Sequence, residues 1–310
     1  MDNFVLFCKT YKGDFERFKI LKESVDKYNK DNLPFYISVP KADMELFKTI
    51  KHTASYKFSI LIDEEILGFT PDMPGWISQQ IVKMKFYKLD FCNFYLVLDS
   101  DSYFIRDFYT SDFMYSENVP YIVMHENKYF KELSYCLGDK NVFENELKIR
   151  NYLNRDGKEY SFYSNPVMSS KVLSELEKNV DKIENLIKKV PLENVWHGEY
   201  LLKSRCIDFM PCENFFKVFN YNAELKLWRS VGENIEDIKK YYVGILMQDR
   251  WIKAKKFKVS IISKINRRIS RIKFYIDADR AHIKRDKSAW VYYRNYIRGL
   301  FRVIFKGEIK

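Results

Sequence analysis

The sequence predicts an α/β domain built on a mainly parallel sheet. Two observations carry this. Short apolar runs rich in β-formers alternate with segments of helical periodicity through the first hundred residues. The polar segments KTYKGD, DEE and DSD sit at the carboxyl ends of those runs, where open α/β sheets bind ligands. A third observation sets the scale. The chain has 310 residues, 46% of them hydrophobic, enough for one large core or a core with an appendage.

Residues 3–8 (NFVLFC) read as a buried strand, followed by a turn punctuated by Gly13. Residues 14–29 read as a helix, with Phe15, Phe18, Leu21, Val25 and Tyr28 on one face. A second strand, PFYISV, runs from Pro34 and stops at Pro40. Residues 41–50 suggest another helix, residues 58–62 a third strand, and DEEILGFTPDMPG a loop. Residues 76–89 are helical, and NFYLVLDSDSYFI is an apolar strand running into two carboxylates. Beyond residue 100, short strands (VPYIVMH, YSFYSNPV, CIDFMP, YYVGIL) mix with helices, without an internal repeat.

Composition narrows the class. Aromatic residues make up 17% of the chain, which favours packed structure over disorder. The five cysteines, Cys8, Cys92, Cys136, Cys206 and Cys212, match no zinc spacing and read as reduced thiols in a cytosolic protein. The opening residues lack the pattern of a signal peptide. No apolar run reaches the roughly 18 residues of a membrane-spanning helix. The formal charge of +11 is uneven: residues 251–310 hold 18 Lys/Arg and 4 Asp/Glu, and the other 250 hold 35 and 38. That break places a boundary near Trp251, with residues 1–250 as one domain and 251–310 as a basic tail.

The chemistry concentrates in YLVLDSDSYFI. Asp99 and Asp101 end an apolar strand with only Ser100 between them. In an extended segment residues two apart face the same way, so the two carboxylates suit a hard dication that also takes phosphate oxygens. The same residue types also suit a solvated turn or a helix cap. Upstream, WISQQIVKMKFYKL puts Gln80 and Lys83 on one helix face, and a lysine is a suitable point charge for a diphosphate. Lys85 and Lys88 read as the solvated side of that helix.

The stretch QQIVKMKFYKLDFCNFYLVLDSDSYFI resembles the core of GT-A glycosyltransferases, in which a Lys-bearing helix leads into a strand ending in D-x-D. It is similar to the glycogenin and lipopolysaccharide galactosyltransferase type. With FCKTYKGDFERFKILKESVDKYN and PFYISVPKADMELF, it looks closer still to bacterial glycosyltransferases of capsule and surface-polysaccharide synthesis. The resemblance covers about residues 3–250 and implies a GT-A, Rossmann-like nucleotide-diphospho-sugar transferase domain. It implies that Asp99 and Asp101 bind Mn²⁺ or Mg²⁺ and, through it, the diphosphate of a nucleotide-sugar donor. Lys83, with Gln80, would contact the donor sugar or phosphate, and Thr10, Tyr11 and Asp14 would lie near the nucleotide. The acceptor would be a glycan or lipid-linked hydroxyl.

A second cluster, Trp196, His197, Gly198 and Glu199, lies in ENVWHGEYLLK, with Glu199 read as opening a helix. It resembles the acceptor-side acid of GT-A enzymes, which implies that Glu199, with His197, serves the catalytic step. A glutamate is also favoured near a helix start by the macrodipole alone, and Trp196 suits a core. No late histidine offers a third metal ligand, and Gln248 or water is left for that place. Asn165 and Pro166 suit either an acceptor pocket or a strand-to-helix turn. His52, His125 and His282 read as structural.

The tail carries Phe257, Ile261, Ile265, Ile269, Ile272 and Ile276 at helical steps among lysines and arginines. Trp290, Tyr293, Ile297, Leu300 and Ile304 form a second such stripe. Basic amphipathic helices of this kind suit an anionic membrane surface, placing the protein on the cytoplasmic face of the cell membrane. Packing or self-association is the competing reading, and no nucleic-acid motif is present. Two other functions compete with glycosyl transfer. A metal-dependent nucleotidyl- or phosphotransferase would also use paired carboxylates, but no P-loop pattern occurs. A non-catalytic, polyanion-binding protein on a transferase scaffold is opposed by the intact acidic pair.

Overall fold

The first strand, β1 (Asp2–Lys9), is buried from Phe4 onward because it lies inside the sheet with a core on each side. The computed structural model describes residues 2–126, 140–163, 165–219 and 234–247. The expectations for Gln248, His282, Cys136 and the basic tail lie outside the described residues. Helix α1 (Phe15–Tyr28) follows a single 3-10 turn, then come β2 (Phe35–Val39), α2 (Met44–Phe47) and β3 (Phe58–Ile62). Next are α3 (Asp63–Leu67), α4 (Gly75–Lys85), β4 (Cys92–Leu98) and β5 (Ser102–Phe104). Strands β6 (Met114–Ser116) and β7 (Val119–Glu126) lead to α5 (Lys140–Tyr152), β8 (Tyr160–Phe162) and β9 (Val167–Ser169). Three helices follow, α6 (Ser170–Asn179), α7 (Ile183–Lys189) and α8 (Glu193–Ser204). Strands β10 (Met210–Cys212) and β11 (Phe216–Phe219), α9 (Ile235–Lys239) and β12 (Gly244–Met247) complete the described chain.

The main sheet has the order β3-β2-β1-β4-β9. Its first four strands are parallel and β9 pairs antiparallel with β4. The expected α/β class with a mainly parallel sheet is therefore present. Side chains alternate between two cores. Val5, Phe7, Tyr95 and Val97 face α4, α6, α7 and α8, while Phe4, Leu6, Phe94 and Leu96 face α1. The helix face read from sequence packs as expected, with Phe18, Leu21 and Val25 buried and Phe15 and Tyr28 at its margin.

Two expectations change. The segment read as a loop after β3 begins with α3, whose first turn holds Asp63, Glu64 and Glu65 and whose end is capped by Gly68 at φ 79°. Acids at the start and a left-handed glycine at the end make a short helix. The helix expected over 41–50 shrinks to a 3-10 turn, Lys41–Asp43, plus α2.

Candidate active site

Strand β4 delivers Leu98 into the core and stops, so Asp99 leaves the sheet at its carboxyl edge. The acidic pair does not sit on an extended segment as expected. The Ser102 amide donates to the Asp99 carbonyl at 2.9 Å, closing a turn over Ser100 and Asp101. The turn is held from three sides. Ser100 Oγ donates to Asp14 Oδ2 at 3.1 Å, and Arg17 donates to the other Asp14 oxygen at 2.8 Å. The Met247 amide donates to the Asp101 carbonyl at 3.0 Å. Asn165 Nδ2 donates to Ser102 Oγ at 2.9 Å. Asn165 itself holds φ at 57°, uncommon for a residue other than glycine, and its Oδ1 is buried without a partner.

On the other face of the sheet, α4 brings Lys83 to the acidic turn. Its Nζ donates to Asp99 Oδ1 at 2.7 Å and to Glu193 Oε1 at 3.0 Å. Burial pushes the Lys83 ammonium down, and the Asp99 and Glu193 carboxylates outweigh that and hold it above the usual lysine range. Gln80 braces the same junction, accepting from the Glu193 amide at 3.2 Å and donating to the Trp76 carbonyl at 3.2 Å. The carboxyl of Asp101 is pushed up to about 7, by burial first and then by the negative charges of Asp99 and Asp14.

This crowding is the test of a metal. Two hard oxygen donors stand together, and although Lys83 pairs with Asp99 the Asp101 carboxyl stays crowded by negative charge, which suits Mg²⁺ or Mn²⁺. Among the described residues no three acidic, histidine or cysteine side chains group to hold a metal. A cation here would take Asp99 and Asp101 from the protein and fill its shell with substrate phosphate and water, as Mg²⁺ commonly does.

The remaining predicted residues are placed as follows. Thr10 ends β1 with its amide on the Ser38 carbonyl and its Oγ1 buried without a partner. Lys9 pairs with Asp63 at 2.8 Å beneath it. Tyr11 is exposed, its ring lying over Gly13. His197 and Glu199 are not brought to the acidic turn by any described contact. Glu199 does not open a helix: α8 begins at Glu193, and Glu199 lies in its middle, 2% exposed. Its carboxylate takes a two-pronged ion pair from Arg155, through Nε and, at 3.0 Å, Nη2. His197 Nε2 accepts the Ser169 amide at 3.0 Å, and burial pushes its pKa down to about 3. The dense cluster seen in sequence is the buried side of a core helix.

Glu193, joined to Lys83, is not among the residues singled out from the sequence. Pro191 two positions earlier and an acid in the first turn mark the helix start there. Lys85 was misjudged as solvated: it is buried, paired with Glu184 and donating to the Leu67 carbonyl at 2.7 Å. His52 and His125 are structural in their contacts, His52 to Lys22 and the Tyr56 carbonyl and His125 to Glu213.

Among solved structures, the chain is similar to mouse xyloside xylosyltransferase 1 in its apo form. Identity is 10% and the TM-score 0.44, over 79% of this chain and 97% of that one. It is also similar to galactosyltransferase LgtC in complex with donor and acceptor sugar analogs. There identity is 12% and the TM-score 0.45, over 80% of this chain and 87% of that one. No curated protein matches it. Residues 4–210 match the family model described as "Family of unknown function (DUF6492)", and the chain belongs to that family.

Proposed function

We propose that the chain is a glycosyltransferase that moves a sugar from a nucleotide-diphosphate donor to a hydroxyl of a glycan or lipid-linked acceptor. One observation carries the reading: Asp99 and Asp101 share a pinned turn at the carboxyl edge of the central strand, with Lys83 and Glu193 joined to it on one side and Asp14 on the other. Asp99 and Asp101 would hold the divalent cation, which when bound supplies positive charge to the leaving diphosphate.

The chain's own residues do the rest. Lys83 fixes the rotamer of Asp99 and, once phosphate is present, offers it a buried ammonium. Glu193 presents its carboxylate to sugar hydroxyls on the same side, and Gln80, whose polar atoms are taken by the Glu193 amide and the Trp76 carbonyl, positions it. Asp14, with both oxygens occupied, positions Ser100 and thereby the turn. Exposed Tyr11 offers a ring face to the nucleobase, and Thr10, its hydroxyl buried, holds the chain to β2 just before it. Glu199 and His197 are assigned to the framework, because each already spends its polar atoms on a buried partner. The capsule or lipopolysaccharide setting belongs to the same reading and rests on the sequence resemblance.

A panel of sugar nucleotides scored by thermal shift with and without Mn²⁺ tests it. One donor should raise the melting temperature only with the metal, and Asp99→Asn and Asp101→Asn should each remove that rise. A panel without a single metal-dependent shift removes the proposal.

A further inference from the structure

On α4, Trp76, Gln80 and Lys83 stand at positions i, i+4 and i+7, one face of the helix. Gln80 and Lys83 are buried in the site, and Trp76 is 51% exposed. Seven residues at 1.5 Å rise put Trp76 about 10 Å along the axis from Lys83. The helix leads from the α3 loop into β4, so its first turn lies toward the carboxyl edge of the sheet. The chain of side-chain contacts Asp99, Lys83, Glu193, Gln80 runs up this face and ends on the Trp76 backbone carbonyl, one helical turn from Gln80.

The space beside Gly75, the residue before Trp76, is open: a side chain there would meet nothing within 4 Å. The approach is stiffened by Pro71 and Pro74, which lower the entropy lost on ordering a ligand against it. Phe69, 36% exposed, lies at the other end of the same loop.

We propose that Trp76 is the platform on which a pyranose ring of the acceptor glycan stacks. This rests on the transferase reading. A hexopyranose presents a face of C–H groups, and the indole face carries the negative side of the ring quadrupole, so the two attract while the sugar's rim stays wet. The occupant follows from position. Nucleotide contacts belong to the Tyr11 and Asp14 side of the acidic turn and the donor sugar to the Lys83 and Glu193 side, so the next ring outward on that side is the acceptor's.

The test uses the full chain and methyl hexopyranosides as probes. Their addition should change tryptophan fluorescence, Trp76→Ala should abolish the change, and Trp76→Tyr should keep binding where Trp76→Leu does not. In a transfer assay Trp76→Ala should raise acceptor KM by about three- to ten-fold, with donor KM at the parent value. A fluorescence change that survives Trp76→Ala overturns the platform, as does an equal rise in donor KM. So does Trp76→Leu matching Trp76→Tyr, which would reduce the site to apolar bulk. A Trp76-dependent glycoside response without any sugar-nucleotide turnover would sink the transferase reading and leave the platform. A silent glycoside panel with an active enzyme would do the reverse.

Discussion

Lys83 and Asp101 show two opposite relations between a site residue and stability. Lys83 is buried between two carboxylates, and removing it leaves them facing each other without a cation. Lys83→Met should therefore destabilise the fold by about 3 kcal/mol, as lost partners of buried ion pairs do, read as a lower urea midpoint. Asp101 works the other way. Burial and the Asp99 charge push its carboxyl up to about 7 from an ordinary 3.8, so between those values the folded state keeps a proton that the unfolded chain has released. The contribution of Asp101 to the stability of the metal-free protein is therefore present below about pH 4 and is lost as pH rises from about 4 to 7. Asp101→Asn should flatten that fall and make the metal-free protein more stable at pH 8, by on the order of 2 kcal/mol. Parent stabilisation by Mn²⁺ should be larger at pH 8 than at pH 6. Urea midpoints of the parent and Asp101→Asn that run parallel from pH 4 to 8 would refute the crowding argument.

At the level of elements, α8 is decided by packing. Gly198 lies against Phe162, and a Cβ there would come within 2.2 Å of the ring. Gly198→Ala should cost about 1–3 kcal/mol through overpacking, although alanine is the better helix former, and thermal unfolding would show the sign. Glu199→Gln should break the buried pair with Arg155 and cost about 3–5 kcal/mol. Its signature is a lower melting temperature with donor and acceptor KM unchanged; a selective loss of turnover in a stable protein would return Glu199 to catalysis. These elements also show what the sequence could disclose. Strand β4 and its acidic end were legible because an apolar run and the turn after it are local features. So was the Lys83 face of α4. The partner of Lys83 was not, because Glu193 lies 110 positions away and only the fold brings it close. Trp196, His197 and Glu199 looked like a site for the reason they are core: large and polar groups crowd there because each has a buried partner. Lys85 was misread likewise, since its partner Glu184 is 99 positions distant.

For the whole molecule, charge divides the chain into a slightly acidic first 250 residues and a strongly basic last 60. We propose that residues 251–310 bind anionic lipid and carry the catalytic domain to a lipid-linked acceptor. Basic residues near such a surface contribute on the order of 1 kcal/mol each. The full chain should sediment with anionic liposomes at low salt and be released as salt rises, and a chain ending at residue 250 should stay in solution. Indifference of the full chain to anionic liposomes would end the proposal. Among the described residues no helix is long and apolar enough to cross a membrane. The clamp on the acidic turn has a consequence in time. Asp99 and Asp101 emerge from the ribosome early, but the amide that pins Asp101 belongs to Met247. A nascent chain of 240 residues carries both aspartates, Lys83 and Glu193 and still lacks the strand that closes the turn. Assembly of the site therefore waits on nearly the last part of the described chain, and pairings between such distant segments form slowly. Pulse-labelled hydrogen exchange during refolding should find the Met247 amide gaining protection after those of β1 and β4.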